Sequence, residues 1–92
     1  MGLLDEEALS HELAAVPAWE RDGNSIVRVV EAASFPAGID LVVAVGRIAE
    51  EADHHPDVDI RWRTLTFRLS THSEGGLTAK DIALARAIDG LV

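Results

Sequence analysis

The chain predicts an α+β fold: a two-layer sandwich, with a four-stranded antiparallel sheet covered on one face by three helices, in the order α-β-β-α-β-β-α. Two observations carry this. Three segments repeat apolar residues at helical spacing, and two pairs of short alternating segments are each joined by a tight turn. Strands joined that closely pair antiparallel, and three amphipathic helices need one sheet face to cover.

Asp5 to Val16 reads as the first helix, because Leu9, Leu13 and Val16 recur on one side, Asp5 can cap it, and Glu6 and Glu7 suit the positive end of its dipole. Pro17 stops it, and His11 lies on its polar side. Trp19 to Arg21, the turn Asp22-Gly23-Asn24 and Ile26 to Val30 then form a hairpin, since Gly23 tolerates the positive φ of a tight turn. Val27 and Val29 alternate with Arg28 and Val30, as in a sheet with one buried face. By burial habit Trp19 is a core or interface residue. The second helix runs from Pro36 to about Ala52, with Ile39, Val42, Val43, Gly46 and Ala49 as its packed stripe. Glu50 and Glu51 at its C-terminal end have the wrong sign for the dipole, which invites a functional explanation. Val58, Ile60 and Trp62 alternate in one parity and Leu65, Phe67 and Leu69 in the other, so a turn or bulge falls at Arg63-Thr64. After the loop Ser73-Glu74-Gly75-Gly76, Thr78 and Asp81 form a capping box for the last helix, whose buried side is Ile82, Ala85, Ile88 and Leu91.

Ninety-two residues are expected to form one domain, 1–92. A chain of this size hides only roughly 60–70% of its unfolded surface, so self-association would help it. The formal charge of −8, from sixteen acids against eight bases, argues against bulk nucleic-acid binding. Arg61, Arg63 and Arg68 gather in one strand region, either as a solvated face or as a patch for an anionic ligand. The absence of cysteine rules out disulfides and thiolate metal sites and agrees with a cytoplasmic location. Met1 to Glu7 has no basic region and no long apolar run, so no signal peptide is expected. No stretch reaches the ~20 apolar residues that cross a membrane.

The chemistry concentrates in Asp53-His54-His55-Pro56 and Ser70-Thr71-His72, which hold three of the four histidines. Imidazole, with an ordinary pKa of about 6.5, is the side chain best suited to moving protons near neutrality. Three readings are open. Three histidines could hold zinc, but adjacent histidines chelate one ion poorly and helical i, i+4 spacing is missing. They could be structural, capping a helix end and a strand end. They could perform metal-free acid–base catalysis with a carboxylate partner.

The pattern Glu50-x-x-Asp53-His54-His55-Pro56, then Thr71-His72, Gly76-Leu77-Thr78 and Lys80-Asp81, resembles pterin-4a-carbinolamine dehydratase. The resemblance runs along the whole chain and is strongest from Glu50 to Asp81. It implies dehydration of 4a-hydroxytetrahydropterin, left when an aromatic amino acid hydroxylase has used its pterin, to a quinonoid dihydropterin ready for reuse. It implies a four-stranded antiparallel sheet with three helices on one side, a homodimer or homotetramer, and no metal or organic cofactor. By family position His54 and His72 would be the acid/base pair, His55 would bind and assist, and Glu50 would orient the histidines. Asp81 and Trp19 would help hold the substrate, and Pro56, Thr71, Ser73 and Glu74 would contact the pterin ring. The segment Asp57 to Trp62 departs from the aromatic-Asn-x-Tyr character of many relatives, which implies altered packing or assembly. Relatives that have lost the histidines act as assembly chaperones, and one animal branch binds a transcription factor helix. A non-catalytic binding protein of the same fold is therefore the alternative reading.

Overall fold

A computed structural model describes residues 2–92, so the signal-peptide reading includes one residue, Met1, outside the described part. The elements are α1 (Glu6–Leu13), β1 (Glu20–Asp22), β2 (Ser25–Glu31), α2 (Phe35–Ala52), β3 (Asp57–Arg61), β4 (Thr64–Leu69), a 3-10 turn (His72–Glu74) and α3 (Ala79–Asp89). The strands form one antiparallel sheet in the order β1-β2-β4-β3. The expected α+β order is thus the observed one.

The core lies between the sheet and the helices. Leu65, Phe67 and Leu69 of β4 and Ile26 and Val30 of β2 meet Leu9 of α1, Val45 and Ala49 of α2, and Ile82, Ala85 and Ile88 of α3. Register puts Ile26, Arg28 and Val30 opposite Leu69, Phe67 and Leu65, so Arg28 points inward and Val29 is left 61% exposed on the other face. A polar residue occupies this inward position because Asp89, at the end of α3, pairs with the Arg28 guanidinium.

Several boundaries shift for local reasons. α1 ends at Leu13 rather than Val16, because Ala15 and Val16 tighten into N–H bonds to Glu12 and Leu13 ahead of Pro17; Val16 is nonetheless fully buried. The packed stripe of α2 is rotated from the expected one. Gly38, Val45 and Ala49 are buried, whereas Ile39 and Val43 are exposed together with Phe35. Gly38 explains the rotation: a Cβ there would stand 3.0 Å from the Leu65 side chain, so the bare backbone faces the sheet. The parity break is a hairpin turn at Trp62-Arg63, one residue earlier than expected. Trp62 adopts a φ of 55° and is 72% exposed, outside β3, with the Arg63 guanidinium over its ring. Leu91 lies beyond α3 and is exposed.

The basic cluster is neutralised locally: Arg61 pairs with Asp59, Arg63 with Glu31 and Arg68 with Asp22. That supports a solvated face rather than an anion patch. Arg21 grips Glu6 through two bonds of 2.6 and 3.0 Å, and this hydrogen bonding, then the positive charge, holds the Glu6 carboxyl below its usual range. No helix among the described residues is long and apolar enough to cross a membrane.

Candidate active site

The site is built where α2 ends. Asp53 takes the left-handed conformation (φ 51°, ψ 42°), its N–H bonding back to Glu50 O, while His54 N–H reaches Ala49 O. This is a Schellman-type stop, made with Asp in place of the commoner Gly. The reversal sends the two neighbouring histidines apart. His54 turns inward, its side chain 11% exposed, with Nε2 2.6 Å from Asp81 Oδ1. His55 stays outside, its Nε2 2.8 Å from Glu50 Oε1. Pro56 then restricts the His55 backbone to extended geometry and leads the chain into β3.

His72 is presented by a short closed loop. Thr71 and Gly76 form an isolated antiparallel bridge, the 3-10 turn lies between them, and Gly75 closes it at a φ of 75°. The loop is bolted to α3. Thr71 Oγ1 donates to Asp81 Oδ2 at 2.8 Å, Thr78 N–H donates to the same oxygen at 2.9 Å, and the two threonine hydroxyls share a bond of 2.8 Å. Asp81 is the acid of the expected capping box and is fully buried. With these donors and His54 around it, the carboxylate is compensated for the loss of water.

A carboxylate only accepts hydrogen bonds, so when Asp81 is ionised His54 donates through Nε2, and in the neutral form of the ring the lone pair is then on Nδ1. In that form the inward histidine has the lone pair that a base requires. His72 makes no side-chain hydrogen bond with any described residue and is exposed.

A cavity of about 370 Å³ unites these parts. Asp53, His54 and His55 line it from the end of α2, Ser70, Thr71, His72 and Ser73 from the loop, and Lys80 from α3. An adjoining cavity of about 310 Å³ shares Thr71, Ser73 and Lys80 and adds Glu74. Of the residues expected from sequence, His54, His55, His72, Thr71 and Ser73 come together directly. Glu50 stands beside them through His55, and Glu74 borders the second cavity. Asp81 lies beneath the floor, so it meets His54 instead of lining the cavity as a substrate-holding residue would. Pro56 sets the chain direction and lines neither cavity. Trp19 is not brought to the site: its ring is 4% exposed in the core and its Nε1 donates at 2.8 Å to Asp89, at the opposite end of α3 from Asp81. Asp53, Ser70 and Lys80 line the cavity without having been singled out as site residues. Lys80 had a readable signal, a base in the first turn of a helix, by the same dipole rule that drew attention to Glu50.

Residues 2–91 match the family described as pterin 4 alpha carbinolamine dehydratase. A Nocardia farcinica protein named as a candidate pterin-4-alpha-carbinolamine dehydratase is 58% identical over 89 residues, 97% of this chain and 94% of its own. One from Mycobacteroides abscessus, with the same name, is 54% identical over 97% of this chain and 95% of its own. The crystal structure of a transcriptional coactivator/pterin dehydratase from Brucella melitensis has a TM-score of 0.91 at 28% identity, covering 96% of each chain. A pterin dehydratase-like protein that is a RuBisCO assembly factor in the α-carboxysome shares the fold alone, at a TM-score of 0.69 and 18% identity over 80% of this chain and 88% of its own. A family match of nearly full length and relatives above half identity agree with the three-histidine cavity, and the chain belongs to the pterin 4 alpha carbinolamine dehydratase family.

Proposed function

We propose that this protein is a hydro-lyase that dehydrates 4a-hydroxytetrahydropterin to quinonoid dihydropterin by histidine acid–base catalysis, without a metal. The observation that carries the reading is the convergence of three imidazoles on one cavity, with His54 held through Nε2 by a buried carboxylate. In the reaction the C4a–O bond breaks and the hydroxyl leaves as water after taking a proton. N5 loses its proton, and the electrons freed there form the C4a=N5 bond. His54, with a free Nδ1 lone pair, suits removal of the N5 proton. His72, unencumbered and facing the same cavity, suits delivery of a proton to the hydroxyl. His55, steadied by Glu50, binds and assists, while Thr71, Ser73 and Glu74 border the space for the pterin. The cycle this serves is pterin reuse in the cytoplasm after an aromatic amino acid hydroxylase.

The decisive experiment is stopped-flow dehydration of chemically generated 4a-carbinolamine by metal-stripped protein. Acceleration above the spontaneous rate is expected with no added cofactor. No acceleration would overturn the reading and favour a binding protein; activity lost with chelator and restored by zinc would favour a metal site.

Assembly belongs to the same proposal. Phe35, Ile39 and Val43 recur every four residues along α2 and are 48%, 38% and 48% exposed, an apolar line that self-association would cover. Light scattering at micromolar concentration should show a dimer or tetramer, and Val43→Glu should shift it toward monomer. A monomer without any substitution would contradict this.

A further inference from the structure

Two charged side chains in the histidine cavity have no part in the proton transfers above. Asp53 lines it from the end of α2 and Lys80 from the first turn of α3. Neither side chain makes a hydrogen bond or ion pair with any described residue, and they do not pair with each other. Unpaired charges also occur elsewhere on the surface, as at Asp40 and Arg47, but these two, of opposite sign, share one cavity. Lys80 is also the chain's only lysine and stands where the helix dipole disfavours a cation. The Asp53 backbone is fixed by the helix stop, so its carboxylate is carried on a rigid base.

The bound molecule must therefore offer complementary groups to an anion and a cation in one small space. The aminopyrimidinone edge of a pterin does so. Its 2-amino group and N3–H are adjacent donors, and O4 beside them is an acceptor. A carboxylate accepts both donors together, in the charge-assisted geometry that gives the strongest hydrogen bonds. An ammonium has three donors and no acceptor, which suits O4. A neutral imidazole has a single acceptor nitrogen, so none of the three histidines offers the paired acceptors that the 2-amino group and N3–H call for. The serine and threonine hydroxyls donate or accept equally and discriminate little.

We infer that Asp53 and Lys80 are the specificity pair of the site, the Asp53 carboxylate accepting from the 2-amino group and N3–H, and the Lys80 ammonium donating to O4. The inference rests on the dehydratase reading above and adds how the substrate is oriented in it. C4, which bears O4, is bonded to C4a, so an anchor at O4 fixes the reacting carbon within the cavity that the histidines share.

The test compares binding of 6-hydroxymethylpterin and 6-hydroxymethyllumazine, its 2-oxo counterpart, by fluorescence quenching on the full chain, alongside the dehydration assay. The unsubstituted protein should prefer the pterin by about tenfold or more, the usual scale of a charge-assisted hydrogen bond. Asp53→Asn and Asp53→Gly both tolerate the left-handed backbone, so the fold should survive, as circular dichroism will check. Each should reduce the preference to less than about twofold, weakening the pterin more than the lumazine, which keeps N3–H but has no 2-amino group. Lys80→Gln should weaken both ligands by a similar factor, because both keep O4. Normal discrimination in the folded Asp53 variants, or none in the unsubstituted protein, would overturn the inference when dehydration proceeds normally. Absence of dehydration by the unsubstituted protein would instead overturn the reading on which it rests.

Discussion

Asp81→Ala is expected to cost about 3 kcal/mol or more of folding stability and to abolish most turnover. The substitution leaves Thr78 N–H, the Thr71 hydroxyl and His54 facing a buried apolar gap where a carboxylate had accepted from all of them. Each unsatisfied buried donor costs about 1–3 kcal/mol. Two roles are lost at once, the cap of α3 and the hold on His54, and Asp81→Asn separates them. Asparagine, with its amide oxygen in the place of Oδ2, can still accept from Thr78 N–H and the Thr71 hydroxyl, but its amide nitrogen then faces His54 and cannot accept from it. Stability should fall less than in the alanine variant, while kcat drops by about 10²-fold with little change in KM, as expected when a base loses its orientation. Urea denaturation and steady-state kinetics on both variants would check this. An Asp81→Asn enzyme with full kcat would show that the bond to His54 has no catalytic role.

His54→Ala and His72→Ala should each lower turnover by about 10²- to 10⁴-fold. Their double variant should approach the uncatalysed rate, and the losses should not add, because the two groups serve one proton exchange. Their stabilities should differ. His72 is exposed and unbonded, so its removal should leave the urea midpoint unchanged. His54→Ala deprives the buried Asp81 of a donor and should cost about 1–3 kcal/mol. Glu50→Gln should reduce turnover much less, since its bond to His55 is solvent-exposed. His11→Ala should change nothing. Near-normal turnover of a well-folded His72→Ala protein would contradict the assignment at its centre.

The elements were legible because periodicity and turn chemistry agreed along the chain. Asp5, Gly23 and the Thr78/Asp81 box each signalled one boundary or cap, and each stands where expected. What failed was orientation within elements. The inward position of Arg28 depends on Asp89, far away in sequence, and the rotation of α2 depends on the close approach of Gly38 to Leu65. Neither contact leaves a local trace. The same division holds at the site. The histidines announced themselves by type and clustering, whereas the separation of His54 from His55 follows from one left-handed residue, Asp53, and the burial of Asp81 follows from how α3 docks. Trp19 shows the reverse case: its burial habit pointed to the core, where it lies, and its proximity to the histidines was implied only by resemblance.

The double employment of Asp81 has a consequence for how such sequences drift. A descendant that no longer needed catalysis would still need an acid at position 81, because the first turn of α3 and the loop from Thr71 are tied to it. Selection for folding alone would preserve that residue long after the chemistry had gone. His72 has no such protection: nothing in the fold leans on its side chain, so only turnover would keep it in place. Among descendants of this chain, position 72 would therefore record the loss of activity first, and position 81 last.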